Sequence, residues 1–324
     1  MDRQNLIRIV TYVMPWEVDE FDRMMTTFAR SKYYLDVNNK VIFDCVLNTS
    51  DEIFDWENSK LDKQFFIDKF NLIKLKCDWA HEVNFNIEEG DKLLGCNDLR
   101  RSILRNSDDD CGILWVDPDI LFPNHLLKVM FDAYSQIKDE YFIITPEMIK
   151  MWDSSWDCIT NDYFKENDYE SYKTYDFYQL DILNESYRDK ISVHPCDFIK
   201  FAGGMFTLYT SNLLKYIDIP DSFLSYGFDD TYMLNCCQVM KKKNDNLYQY
   251  LIKNIVVSEP YKLQFSDETH TKNAYDRLLV KNITKDELRE NNKDIYHTAM
   301  EEFCNRHGFA WKRPKGKNEK NIHI

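Results

Sequence analysis

What most limits the folds open to this chain is an alternation. Over residues 1–150, extended apolar runs take turns with segments whose apolar residues recur at helical spacing. LIRIVTYVMP opens as a strand rich in β-branched residues, and EVDEFDRMMTTFARSKYYL follows with Phe21, Met24, Met25 and Phe28 on one helical stripe. VIFDCVLN reads as a second strand. LDKQFFIDKFNLIKL reads as a helix running towards another short extended piece, and KLLGCNDLRRSILRN as a further helix. Next comes CGILWVDPDILFP, in which Ile113, Leu114, Trp115 and Val116 are continuously apolar, the pattern of a strand covered on both faces. The helix HLLKVMFDAYSQI and the strand YFIIT complete the series. This order predicts an α/β fold, a mostly parallel sheet with helices on both faces. Ligands of such sheets bind outside the carboxyl ends of the strands, which is where Thr11, Tyr12, Asn48 and Asp117 fall.

The second half is less regular. From 151 to about 200 the sequence is dense in Trp, Tyr and Asp, and it reads as a substrate-facing insertion. FIKFAGGMFTLYTSNLLKYI then reads as strand and helix, SYGFDDTYMLNCCQVMKKK as loop and helix, and NIVVSEPYKL as a late strand. With only eight glycines and eight prolines in 324 residues, no linker stands out, so one domain over residues 1–310 is expected. Residues 311–324 read as a basic, flexible tail.

A formal charge of −14 argues against wholesale binding to nucleic-acid backbone or anionic membrane, both of which call for a basic surface. Nine cysteines without C-x-x-C spacing suggest neither a disulfide framework nor a zinc site. No apolar run reaches the roughly 20 residues of a spanning helix. A cytoplasmic protein with no transmembrane segment is the expectation.

Three short stretches carry chemistry. In VDPD, Asp117 and Asp119 close a buried strand, and Pro118 fixes φ between them, so both carboxylates can turn to one point and hold a hard cation on a diphosphate. The bland alternative is an acidic turn. In FAGGMF, Gly203 and Gly204 permit close approach of another group or a bulge. In YGFDDTYML, Asp229 and Asp230 stand where a helix begins; one of them can cap the free N–H groups, and the other invites a second role.

Taken together, the helix bearing Asp98, Arg100 and Arg101 before ILWVDPD, then AGGMF, then YGFDD, resemble the metal-dependent nucleotide-sugar glycosyltransferases of the Rossmann-like GT-A fold over roughly residues 5–270. The motifs are similar to those of galactosyl- and N-acetylgalactosaminyltransferases. The resemblance implies a nucleotide-sugar half at 1–150 and an acceptor half at 151–310. It implies that Asp117 and Asp119 hold Mn²⁺ or Mg²⁺ on the donor, a UDP-sugar, and that His270 adds a third metal ligand. Thr11, Tyr12, Asn48 and Asp51 would line the nucleoside, Arg100 or Arg101 the phosphates, and Gly203 and Gly204 the sugar. The arginines could equally decorate an exposed helix face. Phe-Asp stands here where the family often has Gly-Glu, which leaves either Asp230 or Asp229 as the general base of an inverting reaction on an acceptor hydroxyl. Trp152, Trp156 and Tyr163 could stack on a sugar or simply pack. Two other classes compete: a nucleotidyltransferase, which usually carries a glycine-rich basic phosphate loop that TYVMPWEVDEF lacks, and a non-catalytic carbohydrate- or protein-binding module. The acceptor could be a glycan, a protein, a lipid-linked sugar or a nucleic acid.

Overall fold

The structure is a computed structural model, and it describes residues 5–54, 62–90, 96–106, 110–150, 188–196, 206–223, 228–243, 246–259 and 285–313. Strands β1 (Leu6–Val13), β2 (Lys40–Asn48), β3 (Glu82–Glu88), β4 (Gly112–Val116), β5 (Tyr141–Lys150), β6 (Ser192–Cys196), β7 (Phe206–Thr210) and β8 (Leu247–Glu259) form one sheet in the order β3-β2-β1-β4-β7-β5-β8-β6. Helices α1 (Val18–Ser31), α2 (Asp51–Phe54), α3 (Lys63–Lys74), α4 (Cys96–Asn106) and α5 (Leu126–Gln136) lie between the first five strands. The short α6 (Ser211–Leu214), then α7 (Asp229–Lys243) and α8 (Lys285–Arg306), follow. β1 pairs in parallel with β2 and β4, β2 with β3, and β5 with β8, while β7 and β6 run against their neighbours. The mostly parallel α/β sheet expected from the alternation is therefore what forms.

Helices cover both faces because side chains along a strand alternate. On β4 all five residues are buried. Leu114 and Val116 join a phenylalanine-rich core with Phe21, Phe28, Phe43, Phe70 and Phe122, beneath α1, α3 and α5. Ile113 and Trp115 join a second core with Tyr209, Tyr232, Met233 and Phe303, beneath α4, α7 and α8. Ring contacts knit each side: Phe28 meets Phe122 edge-on at 4.7 Å, and Trp115 meets Tyr209 at 4.6 Å. The stripe Val18, Phe21, Met25 and Phe28 is buried on α1, as its helical spacing requires.

Three elements differ from the sequence expectation. β8 begins at Leu247, ahead of the NIVV run, and β6 pairs antiparallel beside it. Helix α8 packs on α7 through Tyr296, Ala299, Met300 and Phe303, apolar residues spaced by three and four. Trp311, assigned from sequence to the tail, packs onto this helix, its indole N–H donating to His297 Nδ1 at 3.3 Å. Among the described residues no helix is long and apolar enough to cross a membrane.

Candidate active site

The strand order contains a switch point. From β1 the chain moves out through β2 to β3, then returns to place β4 on the other side of β1. The crevice where ligands of such sheets bind thus lies outside the neighbouring carboxyl ends of β1 and β4, bordered by the loops that leave them. Asp117 follows β4, in a turn closed by the Ile120 N–H donating to the Asp117 carbonyl at 3.3 Å. Asp119 lies within the same turn and is buried. Glu17 follows β1, its carboxylate accepts the Met14 N–H at 3.1 Å, and its charge reaches Asp117 across the crevice.

Helix α4 supplies the opposing charge. Arg100 donates to Asp117 Oδ1 at 3.0 Å and to the Asp229 carboxylate, while its guanidinium sits 5.1 Å from the centre of the Trp115 ring. Neighbours on a helix point about 100° apart, so Arg101 goes elsewhere. It donates to the carbonyls of Ile219, Pro220 and Phe223 at 2.9–3.0 Å and to Asp98 at 2.9 Å. Both arginines are 8% exposed, which overturns the exposed-face alternative. One anchors the acidic cluster and the other anchors the 219–223 loop.

Asp229 enters the cluster from the start of α7. Phe228 just before it adopts φ of 65°, a backbone region costly for a bulky residue, and its carbonyl accepts the Tyr232 N–H at 2.8 Å to open the helix. Asp229 is buried against Arg100, whereas Asp230 is half-buried and accepts the Thr231 N–H at 2.6 Å. At the end of β2, the Asn48 amide donates to the Tyr12 hydroxyl and its oxygen accepts the Ser50 N–H at 3.0 Å. Thr11 is buried on β1, its Oγ1 without a hydrogen-bond partner. Asp51 is exposed at the start of α2, 3.6 Å from Lys63 Nζ. Gly203, Gly204 and His270, like Trp152, Trp156 and Tyr163, lie outside the described residues. Phe206, just after the glycines, pairs with Val116 at the same edge of the sheet.

No protein-family model matches the sequence, and no curated protein matches it. Solved structures do. Residues 1–349 of S. aureus TarS, in complex with UDP-GlcNAc, are 12% identical with a TM-score of 0.43, covering 94% of this chain and 73% of that one. S. aureus TarS in a longer form is 10% identical with a TM-score of 0.45, over 94% and 50% of the two chains. GalNAc-T7 with UDP, GalNAc and Mn²⁺ is 11% identical with a TM-score of 0.49, over 94% and 55%. The chain thus spans about half the length of the latter two. The likeness is confined to the fold.

The electrostatics of the cluster come from its own residues. Burial pushes the Asp117 carboxyl up to about 7; Arg100 pulls it down, and Asp119, Asp229 and Glu17 push it further up. Arg100 thus holds two of these carboxylates, Asp117 and Asp229, while the charges of Asp119 and Glu17 also bear on Asp117. Among the described residues no three His, Cys, Asp or Glu side chains form a ready metal cage. The donor set nevertheless fits a hard divalent cation: oxygen ligands only, a surplus of negative charge, and few enough protein ligands to leave places for phosphate oxygens. Sequence reasoning missed Glu17 and Tyr209, whose charge and ring border this cluster. For Glu17 a signal was present: it follows the first strand of an alternating series, where the crevice must open.

Proposed function

We propose that this chain is a GT-A-type glycosyltransferase that moves a sugar from a nucleotide-diphosphate sugar, a UDP-sugar, to an acceptor hydroxyl. What carries the proposal is the Arg100-bridged carboxylate cluster at the switch point of the sheet. Asp117 and Asp119 hold Mn²⁺ or Mg²⁺, and His270 is the candidate third ligand. When bound, the metal supplies charge neutralisation at the diphosphate leaving group. Tyr12 and Asn48, locked to each other, and Thr11 beside them line the nucleoside pocket at the ends of β1 and β2. Gly203 and Gly204, preceding β7, let the sugar approach the backbone. Asp230 accepts the acceptor proton as general base, since Asp229 is committed to Arg100. The 151–310 half, with Trp152, Trp156 and Tyr163, supplies the acceptor surface for a glycan or other hydroxyl.

The deciding experiment is a thermal-shift series with UDP, Mn²⁺, and both. UDP with Mn²⁺ stabilises by about 2.7 kcal/mol at 100 times its dissociation constant. Asp117→Asn removes the metal-dependent part of that shift. A chain indifferent to UDP and to other nucleotide diphosphates with metal sinks the proposal. Hydrolysis of the donor separates an enzyme from a binding module.

A further inference from the structure

At the opposite edge of the sheet lies a cavity of 430 Å³, a size typical of small-molecule sites. Tyr141 and Leu247, paired across the beginnings of β5 and β8, form part of its wall. Leu213, Tyr216 and Met240 complete an apolar surface. The rings of Tyr141 and Tyr216 meet edge-on at 5.3 Å, the Tyr141 hydroxyl donating to that of Tyr216 at 3.3 Å, and Tyr216 remains 56% exposed. Such a pair offers an aromatic face to a flat guest.

The polar groups of this cavity are unequally placed. The charge of Glu140 lies near the Tyr141 hydroxyl, which makes the tyrosine end the acidic one. At the other end stand Lys243 and His307. Lys243 has no salt bridge among the described residues, and the buried His307 Nδ1 has no hydrogen-bond partner. The charges that reach His307 are those of Lys243 and Arg306, both positive. A lysine with no carboxylate partner among the described residues, beside an imidazole whose Nδ1 can carry its N–H, is an unfilled place for an anion.

We propose that this cavity is a second binding site, for a small molecule with a flat apolar ring body and one anionic group, an aryl carboxylate or sulfonate. The ring lies against Tyr216, Leu213 and Met240, and the anion sits between Lys243 Nζ and His307 Nδ1. The site stands independently of the sugar-transfer proposal, because it shares no residue with the acidic crevice.

The probe is 1-anilinonaphthalene-8-sulfonate, titrated by fluorescence into the folded full chain, with its uncharged relative N-phenyl-1-naphthylamine beside it. Lys243→Gln and Tyr216→Ala alter exposed side chains and leave the fold intact, as a melting curve checks. Saturable sulfonate binding is expected, weakened about tenfold by Lys243→Gln and by Tyr216→Ala, with the uncharged probe indifferent to Lys243→Gln. UDP with Mn²⁺, and Asp117→Asn, leave the dye in place. The proposal is overturned by absence of saturable binding, by equal affinity in wild type and both variants, or by displacement with UDP and Mn²⁺.

Discussion

Arg100 shows how much a single side chain can decide. It is 8% exposed and is held between Asp117 and Asp229, so removing it strands a buried carboxylate. Arg100→Met is expected to destabilise by about 3–5 kcal/mol in urea unfolding. Arg100→Lys should recover only part of this, because an ammonium lacks the planar fork that reaches two carboxylates at once. Arg101→Met, by contrast, should loosen the 219–223 loop at a cost of about 1–3 kcal/mol, read as faster amide exchange there, and leave UDP binding intact. Asp230→Asn tests the base: turnover falls roughly 10²–10⁴-fold while metal-dependent UDP binding persists. Full turnover in a folded Asp230→Asn protein would place the base elsewhere.

At the scale of elements, β4 is the member on which the others depend. It is hydrogen-bonded to β1 on one side and β7 on the other, and Leu114 stands opposite both Ile9 and Leu208 in the Phe-rich core. Leu114→Ala should cost about 2–5 kcal/mol of unfolding free energy, the range for truncating a buried leucine. Packing at the start of this strand is as tight: a Cβ added to Gly112 would meet Leu208 Cδ1 at 3.2 Å. Helix α7 contributes differently. Its N-terminus carries Asp229 to the acidic cluster and its C-terminus carries Lys243 to the second cavity, so one rigid element spans from one edge of the sheet to the other.

For the whole molecule, acid sensitivity follows from the C-terminal helix. Burial lowers the pKa of His297, and the charges of Arg313 and Lys293 add to that against Asp294. Burial also lowers that of His307, with Lys243 and Arg306 adding. Groups with folded pKa values below their unfolded value take up protons more readily when the chain unfolds. Stability is therefore fully present above the unfolded value of about 6.5 and is lost as pH falls through it towards the folded values. Protonation also removes the His297 Nδ1 lone pair that accepts from Trp311. Urea midpoints measured between pH 7.5 and 5.5 should fall less steeply in a His297→Gln, His307→Gln protein than in the wild type, since titrating carboxylates are common to both. Parallel slopes would remove the histidines from the account.

The alternation of extended and helical patterns settled the α/β class, because period and burial are local properties written along each segment. It also placed Asp117 at the end of a doubly buried strand, since a continuous apolar run and its polar stop are adjacent in sequence. Helix α8 went unread from the sequence: Tyr296, Ala299, Met300 and Phe303 have helical spacing, but a largely polar segment hides that stripe. What neighbouring arginines do was not legible at all: Arg100 finds Asp229 at a separation of 129 residues, and Arg101 finds the carbonyls of a loop further along the chain. Their helix fixes that they diverge, but only the packing of α4 against the second face decides what each one meets. Local periodicity fixed the elements and the edge of the sheet where chemistry gathers. The partners of each charge depend on strand order and long-range contact, and those the tertiary structure alone decided.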